Sequence, residues 1–352
     1  MLACTAGHGE QTASRPLTVA DAIGTTRFMQ SVRSPDADPR ADGVFTSPDG
    51  RRYAVMLIRG DLDAPAGAGN WVEILVGRLD SLDGAKPRSV ARLFTQSWGS
   101  PDPVLSAPLV TWPRRNPLVW LPDNEHVAFL WPDEKSVVQV AAVDVTTGEL
   151  TYVSQAERDV TSFQVAPSGS VLYSALFAHS RERSEQLLRE GFTVTDDSDL
   201  LDVVRGDVDG YGTLDRSNNT RWYIAGLGGP ARRLLLSGDP DRSAPLFPAV
   251  FSADGRRVLM GHYPAQVPAE WSRYTQPGLA YRVSVHKANP YALTARYTKQ
   301  PFVVDLETGQ ARRLWPAPAD VGTQPAWSPS GSTVLLGSAF LPLDSADSVG
   351  LS

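Results

Sequence analysis

Apolar residues fall in short β-rich runs along most of the chain, and turn signals cut one run from the next. The clearest unit is Ser47-Pro48-Asp49-Gly50, entered by Val44-Phe45 and left by Tyr53-Ala54-Val55-Met56-Leu57. Pro presets φ for a turn, Asp hydrogen-bonds the local backbone, and Gly accepts positive φ. Variants return at Leu121-Pro122-Asp123-Asn124, Ala166-Pro167-Ser168-Gly169, Ser252-Ala253-Asp254-Gly255 and Ser328-Pro329-Ser330-Gly331. Trp120, Val165, Phe251 and Trp327 stand two places before the Pro or Ala, where the first copy has Thr46.

A second turn alternates with the first. Leu79-Asp80-Ser81-Leu82-Asp83-Gly84, Val143-Asp144-Val145-Thr146-Thr147-Gly148 and Val304-Asp305-Leu306-Glu307-Thr308-Gly309 share an Asp at a strand end and a Gly four residues later. Two turns in alternation predict four-stranded units: 44–47, 53–59, 71–79 and 89–94; then 118–121, 126–131, 137–145 and 150–154; then 162–166, 171–177, 221–227 and 232–237; then 247–252, 257–263, 301–306 and 312–315. A fifth unit opens with 325–328 and 333–340. The turn Gly or Asn positions 50, 124, 169, 255 and 331 are separated by 74, 45, 86 and 76 residues. Such a repeat is the pattern of an all-β propeller of four-stranded antiparallel blades, four full and part of a fifth. Blades fall at about 40–96, 116–154, 158–238, 246–316 and 322–344, in one domain over 18–352 after a disordered segment 1–17. Four and a half blades make an incomplete ring, and its unpaired edge invites association and poor solution behaviour.

Two insertions, 178–219 and 264–299, separate the second and third strands of their blades. The first holds a helical stretch over Ser180–Glu190 and an acidic loop through Asp196–Gly212; a further short helix is expected from Ala22 to Met29, after Thr18-Val19-Ala20-Asp21 with its capping-box spacing. Insertions in a repeat array gather on one face, often the binding face. His179, Trp271, Tyr274, Tyr281, His286 and Tyr291 are therefore the candidate ligand or partner contacts. The plainer reading of the aromatic set is that so long an excursion packs on its own side chains.

Composition narrows the partners. The chain has 352 residues, 29 Gly and 28 Pro, and a net charge of -6, which gives no electrostatic reason to expect nucleic acid or an anionic membrane. The single Cys4 excludes an internal disulfide framework and a cysteine-based metal site. No stretch approaches a membrane span or a complete signal peptide, which leaves cytoplasm and periplasm both open. Asp207-x-Asp209-Gly210 has the flavour of a calcium loop without its terminal Glu, so a solvated acidic loop is expected and no metal or cofactor. Pro167-Ser168-Gly169-Ser170 and Pro329-Ser330-Gly331-Ser332 are repeat turns, and no Gly-x-Ser-x-Gly elbow occurs. His126 and His262 fall inside expected strands and read as structural.

The order of Pro16-Leu17-Thr18-Val19-Ala20-Asp21, Ser47-Pro48-Asp49-Gly50-Arg51-Arg52-Tyr53 and Trp327-Ser328-Pro329-Ser330-Gly331 resembles the N-terminal propeller of the prolyl oligopeptidase family of serine peptidases. Ser338-Ala339-Phe340-Leu341-Pro342-Leu343-Asp344 is similar to a late segment in the bacterial branch that includes lasso-peptide isopeptidases. The resemblance implies a propeller of seven or eight blades over an α/β-hydrolase domain, screening which peptides reach a Ser-Asp-His triad. No residue here matches the triad or its elbow, so no catalytic role is carried over. The expectation is a truncated, non-catalytic gating propeller whose partners are peptide substrate or a hydrolase domain. The alternative is a stand-alone TolB-like or WD-like binding propeller.

Overall fold

The structure is a computed structural model and describes residues 26–28, 44–63, 69–81, 86–95, 118–135, 137–157, 159–176, 189–190, 220–234, 249–262, 268–288, 300–314, 316–319, 326–336 and 340. Most of their regular structure is antiparallel sheet. Strands β2 (Val44–Thr46), β3 (Arg52–Asp61), β4 (Gly69–Arg78) and β5 (Arg88–Thr95) follow one another in the first sheet. The second comprises β6 (Val119–Trp120), β7 (His126–Pro132), β8 (Val138–Asp144) and β9 (Leu150–Tyr152). The third comprises β10 (Val160–Val165), β11 (Val171–Leu176), β12 (Thr220–Ala225) and β13 (Arg232–Arg233). The fourth comprises β14 (Val250–Phe251), β15 (Arg257–His262), β16 (Gln300–Asp305) and β17 (Ala311–Arg313). A pair, β18 (Ala326–Trp327) and β19 (Val334–Leu335), opens a fifth. These are the blades of a β-propeller, with strand positions close to those read from the sequence.

Register gives the blades a common frame. The residue two places after the turn Gly or Asn faces the last residue of the third strand: Arg52 with Arg78, His126 with Asp144, Val171 with Ala225 and Arg257 with Asp305. Three sequence expectations change in this frame. Asp144 and Asp305 are equivalent, but the matching position in the first blade is Arg78, and Asp80 lies two residues beyond it in a 3-10 turn over Leu79–Ser81. Arg78 donates to Asp80 from Nε at 2.9 Å and from its terminal nitrogen at 2.5 Å, so that connector is built differently from its counterparts. The helix expected from Ala22 to Met29 gives way at Arg27–Phe28, which form β1, an antiparallel strand opposite Ile58 and Leu57. The ten-residue β3 outruns the three residues of β2, and β1 occupies the backbone groups left over. The strand expected to reach residue 340 ends at Leu335, and Phe340 N donates instead to Pro318 O at 3.0 Å.

Each blade is two-faced, and stacking covers both faces. Along β7 and β8 alternate residues point opposite ways. Val127, Phe129, Ala141 and Val143 pack with Met56, Val72 and Ile74 of the first blade. Ala128, Val140 and Ala142 pack with Val171, Tyr173 and Ala175 of the third. The third then meets the fourth through Leu172, Trp222 and Ile224 against Val258, Met260 and Val304. Leu259 and Val303 carry the fourth onto Trp327 and Val334. Burying a side chain such as Phe129 completely contributes roughly 1.5–3 kcal/mol relative to exposure.

Polar contacts repeat at the same places. Trp120 Nε1 donates to Phe45 O at 2.9 Å, and Trp327 Nε1 donates to Val250 O at 2.7 Å, each joining the innermost strands of adjacent blades. The first turns form a row. Asn124 Oδ1 accepts from Asp49 N at 2.8 Å, and a Cβ at Gly169, Gly255 or Gly331 would meet Pro122, Ser168 or Ser252 of the preceding turn within 4.0, 2.8 and 3.6 Å. Arg88 donates to the Thr146 and Thr147 carbonyls of the second blade, and Arg232 to the Leu306 carbonyl of the fourth. The third turn is one residue tighter, closing from Ala166 N to Ser170 O where the others span five residues, as from Ser47 N to Arg52 O. Ser47 and Ser252 brace the wider loop by accepting from Arg52 N and Arg257 N and donating to Asp49 and Asp254; Ala166 has no hydroxyl with which to do so.

Gly255 combines φ +66° with a Cβ position 2.8 Å from a backbone nitrogen, whereas Gly50 has φ +69° and open space. Gly50→Ala meets only the left-handed penalty of roughly 1–2 kcal/mol. Gly255→Ala meets the same penalty plus a backbone clash, and thermal denaturation should show the larger loss of melting temperature for it. The turn carboxylates also make stability acid-sensitive. Hydrogen bonds from the Ser47 hydroxyl and then Arg51 N hold Asp49 below its ordinary range, and Ser252 and Arg256 do the same for Asp254. Backbone N–H groups of Thr147 and Thr146 lower Asp144, and that of Thr308 lowers Asp305. Depressed carboxyls stabilise above their unfolded pKa and lose that contribution as pH falls through the folded value. Melting temperature should hold from neutrality to about pH 5 and drop below about pH 4. The drop should be shallower in Asp49→Asn/Asp254→Asn.

Candidate functional site: the insertion-bearing end of blades three and four

In every blade the first-to-second and third-to-fourth strand turns lie at one end, so the second-to-third connections and the crossings between blades lie at the other. The 178–219 excursion leaves after Leu176 and returns at Thr220, and that of 264–299 leaves after His262 and returns at Gln300. Both therefore rise from the same end of adjacent blades.

The second excursion has a core of its own. Pro268 enters a 3-10 turn over Ala269–Arg273, and helix α1 follows over Pro277–Ala288. Pro277 suits the first helical position, where no N–H is required. Trp271 is fully buried and donates from Nε1 to Pro316 O at 3.0 Å, in the crossing that leaves the fourth blade. Leu279 and Val283, four residues apart on α1, close over Trp271, Tyr274 and Ala317. The Tyr274 ring meets Phe340 edge-on with centroids 6.0 Å apart. Of the residues singled out in the sequence, Trp271 and Tyr274 thus form the interior of this excursion. Tyr281, 61 % exposed, stands on the outer side of α1. His286 is in the same helix, and His179 and Tyr291 lie outside the described residues, as does the helix expected over 180–190 apart from Arg189 and Glu190, which are helical.

A polar position below the excursions was not singled out in the sequence. Gln139 and Gln300 occupy one register place, five residues before Asp144 and Asp305. Gln139 is buried and fully engaged: its Oε1 accepts from Ser154 Oγ at 2.7 Å and Ala156 N at 3.0 Å, and its Nε2 donates to Ala156 O at 2.8 Å. Ser154 Oγ accepts in turn from Val140 N at 2.7 Å, and Asp159 Oδ1 from Val138 N at 2.8 Å, so the carboxamide pins the crossing from blade two to blade three. In blade four the crossing is held by Trp271, through its bond to Pro316 O. The signal was present as Gln-x-x-x-Val-Asp in both strands.

Burial pushes the Tyr173 hydroxyl up to about 12, and its ring stacks on Tyr223 at 5.3 Å. His126 Nδ1 lies 2.8 Å from Asp123 Oδ2 within the second blade's turn. The hydroxyls of Ser168 and Ser330 hydrogen-bond to those of Ser170 and Ser332 in repeat turns. Among the described residues no group of three His, Cys, Asp or Glu is placed to hold a metal ion.

No family model matches the sequence, and no curated protein matches it. The fold is similar to that of solved structures. TolB from Acinetobacter baumannii is 13% identical, with 83% of this chain and 47% of that one covered at a TM-score of 0.38. The isopeptidase AtxE2 is 13% identical over 85% of this chain and 47% of that one, at 0.36. The β-propeller domain of the Trilobed protease from Pyrococcus furiosus is 12% identical over 77% and 56%, at 0.37. The chain spans about half the length of these three. Peptidases of the kind that the sequence resembles are among the matches, alongside TolB.

Trp271→Ala removes the centre of the excursion's core and should cost roughly 3–5 kcal/mol locally. Hydrogen exchange should then accelerate in α1 while β7, β8 and β11 keep their protection.

Proposed function

We propose that this array is the non-catalytic, substrate-gating propeller of a serine peptidase, with the chemistry supplied by an α/β-hydrolase domain outside these 352 residues. One observation carries the reading: the two ends of the blades are unlike. One is a row of tight turns braced against each other. The other bears two long excursions on adjacent blades, one with a buried tryptophan at its centre. An end of that build can filter by size and by contact, while the stacked blades give it a fixed base. The sequence has no nucleophile elbow, so the array selects and does not cleave.

The test is to incubate the purified chain with generic fluorogenic peptide substrates, and to follow fluorescent peptides of the same sequences by anisotropy. Peptides should be retained and not hydrolysed above background. Turnover abolished by a serine-directed covalent inhibitor, or no retention of any peptide, would overturn the reading.

A further inference from the structure

Two buried N–H donors face the joint between blades three and four, and neither has a hydrogen-bond partner among the described residues: Trp222 Nε1 and Gln300 Nε2. Trp222 is 6 % exposed and Gln300 3 %. Trp222 belongs to the cluster that fills this joint, together with Met260 and Val304. Gln300 is four residues from Val304 along β16, so the two-residue period of a strand turns it to the same side, toward blade three. Ser174, opposite Trp222 in the ladder, faces the joint as well and is hydrogen-bonded to Ser162 at 2.6 Å. The strip is thus polar at the end of the joint from which both excursions rise.

An unmade hydrogen bond on a buried donor is costly, and native interiors seldom tolerate one without a use. The same place in blade two shows what a purely structural glutamine does there, since Gln139 Nε2 has acceptors in Asp133 and Ala156 and its Oε1 accepts from Ser154. Blade four keeps the glutamine, and its Nε2 has no acceptor among the described residues.

We infer that Trp222 and Gln300 form a binding site at this joint for the amide carbonyl oxygens of an extended peptide entering from the insertion-bearing end. Both donors are neutral N–H groups. A carboxylate brought to either donor would give up its hydration without a compensating charge, whereas an amide carbonyl has far less to lose. The inference rests on the peptide-gating reading and names the atoms that would receive the peptide.

The experiment uses the full chain labelled with ¹⁵N-tryptophan, which gives indole resonances from nine Trp residues. Trp222 is identified with Trp222→Phe or, should that variant not fold, as the indole displaced in Gln300→Leu. The probes are N-acetylglycine N-methylamide and acetate. The Trp222 indole proton should move downfield saturably with the amide and not with acetate, and Gln300→Leu should weaken the amide's binding about three- to tenfold. The same variant should raise the melting temperature, because it removes a buried donor that the folded chain does not pair, while Gln139→Leu should lower it. An indole that does not respond to the amide, an equal response to acetate, or a Gln300→Leu variant of lower melting temperature would overturn the site. Peptide retention without movement of this indole would overturn the site and leave the gating reading standing. Movement of the indole in a chain that hydrolyses peptides would do the reverse.

Discussion

A sheet of four short strands has two faces to cover and nothing of its own to cover them with. Every other property of this molecule follows from the way adjacent sheets meet that need for each other. Along β8 all six residues from Val138 to Val143 are buried, because odd and even positions are claimed by different neighbours. The energy is spread over joints and not gathered in a single centre, so the array gains stability joint by joint. What sets the spacing of the sheets is then a matter of small contacts: an indole N–H on the neighbour's innermost strand, an arginine on the neighbour's outer turn, and turn against turn.

This division of labour explains why one end could diversify. Turns that lean on their neighbours have no freedom to lengthen, and the described ones keep nearly the same six residues. Among the described residues the opposite ends of β11 and β15 carry no such restraint, and the chain makes its excursions there. The Trp271 core shows how such an excursion becomes a fixed part of the blade: it binds the crossing at Pro316 and receives Phe340 from beyond the fifth sheet's strands.

Much of this was legible from the residues. The turns are written in local chemistry, Ser-Pro-Asp-Gly and its variants, and local chemistry fixes local geometry, so the strands that flank them were placed to within a few residues. Connectors were read less well, because Asp80 carries the expected letter two residues from the expected place, and only the ladder from Arg52 to Arg78 shows it. Helix α1 left little trace. Gln276 is a poor cap, and Tyr281, Val283 and Val285 are indifferent helix formers. Burial of Leu279 and Val283 holds it, and burial is not local information. For the same reason Gln139 and Gln300 look alike in sequence and differ only in what surrounds them.

The row of turns has a consequence for how damage spreads. Each turn touches the one before and the one after, and no described contact skips a place. Two lesions in adjacent turns will therefore influence one another, while the same two lesions placed several blades apart will simply sum. Inherited changes at this end of the molecule should accordingly be tolerated or rejected in neighbouring pairs, with compensation passing from hand to hand along the row.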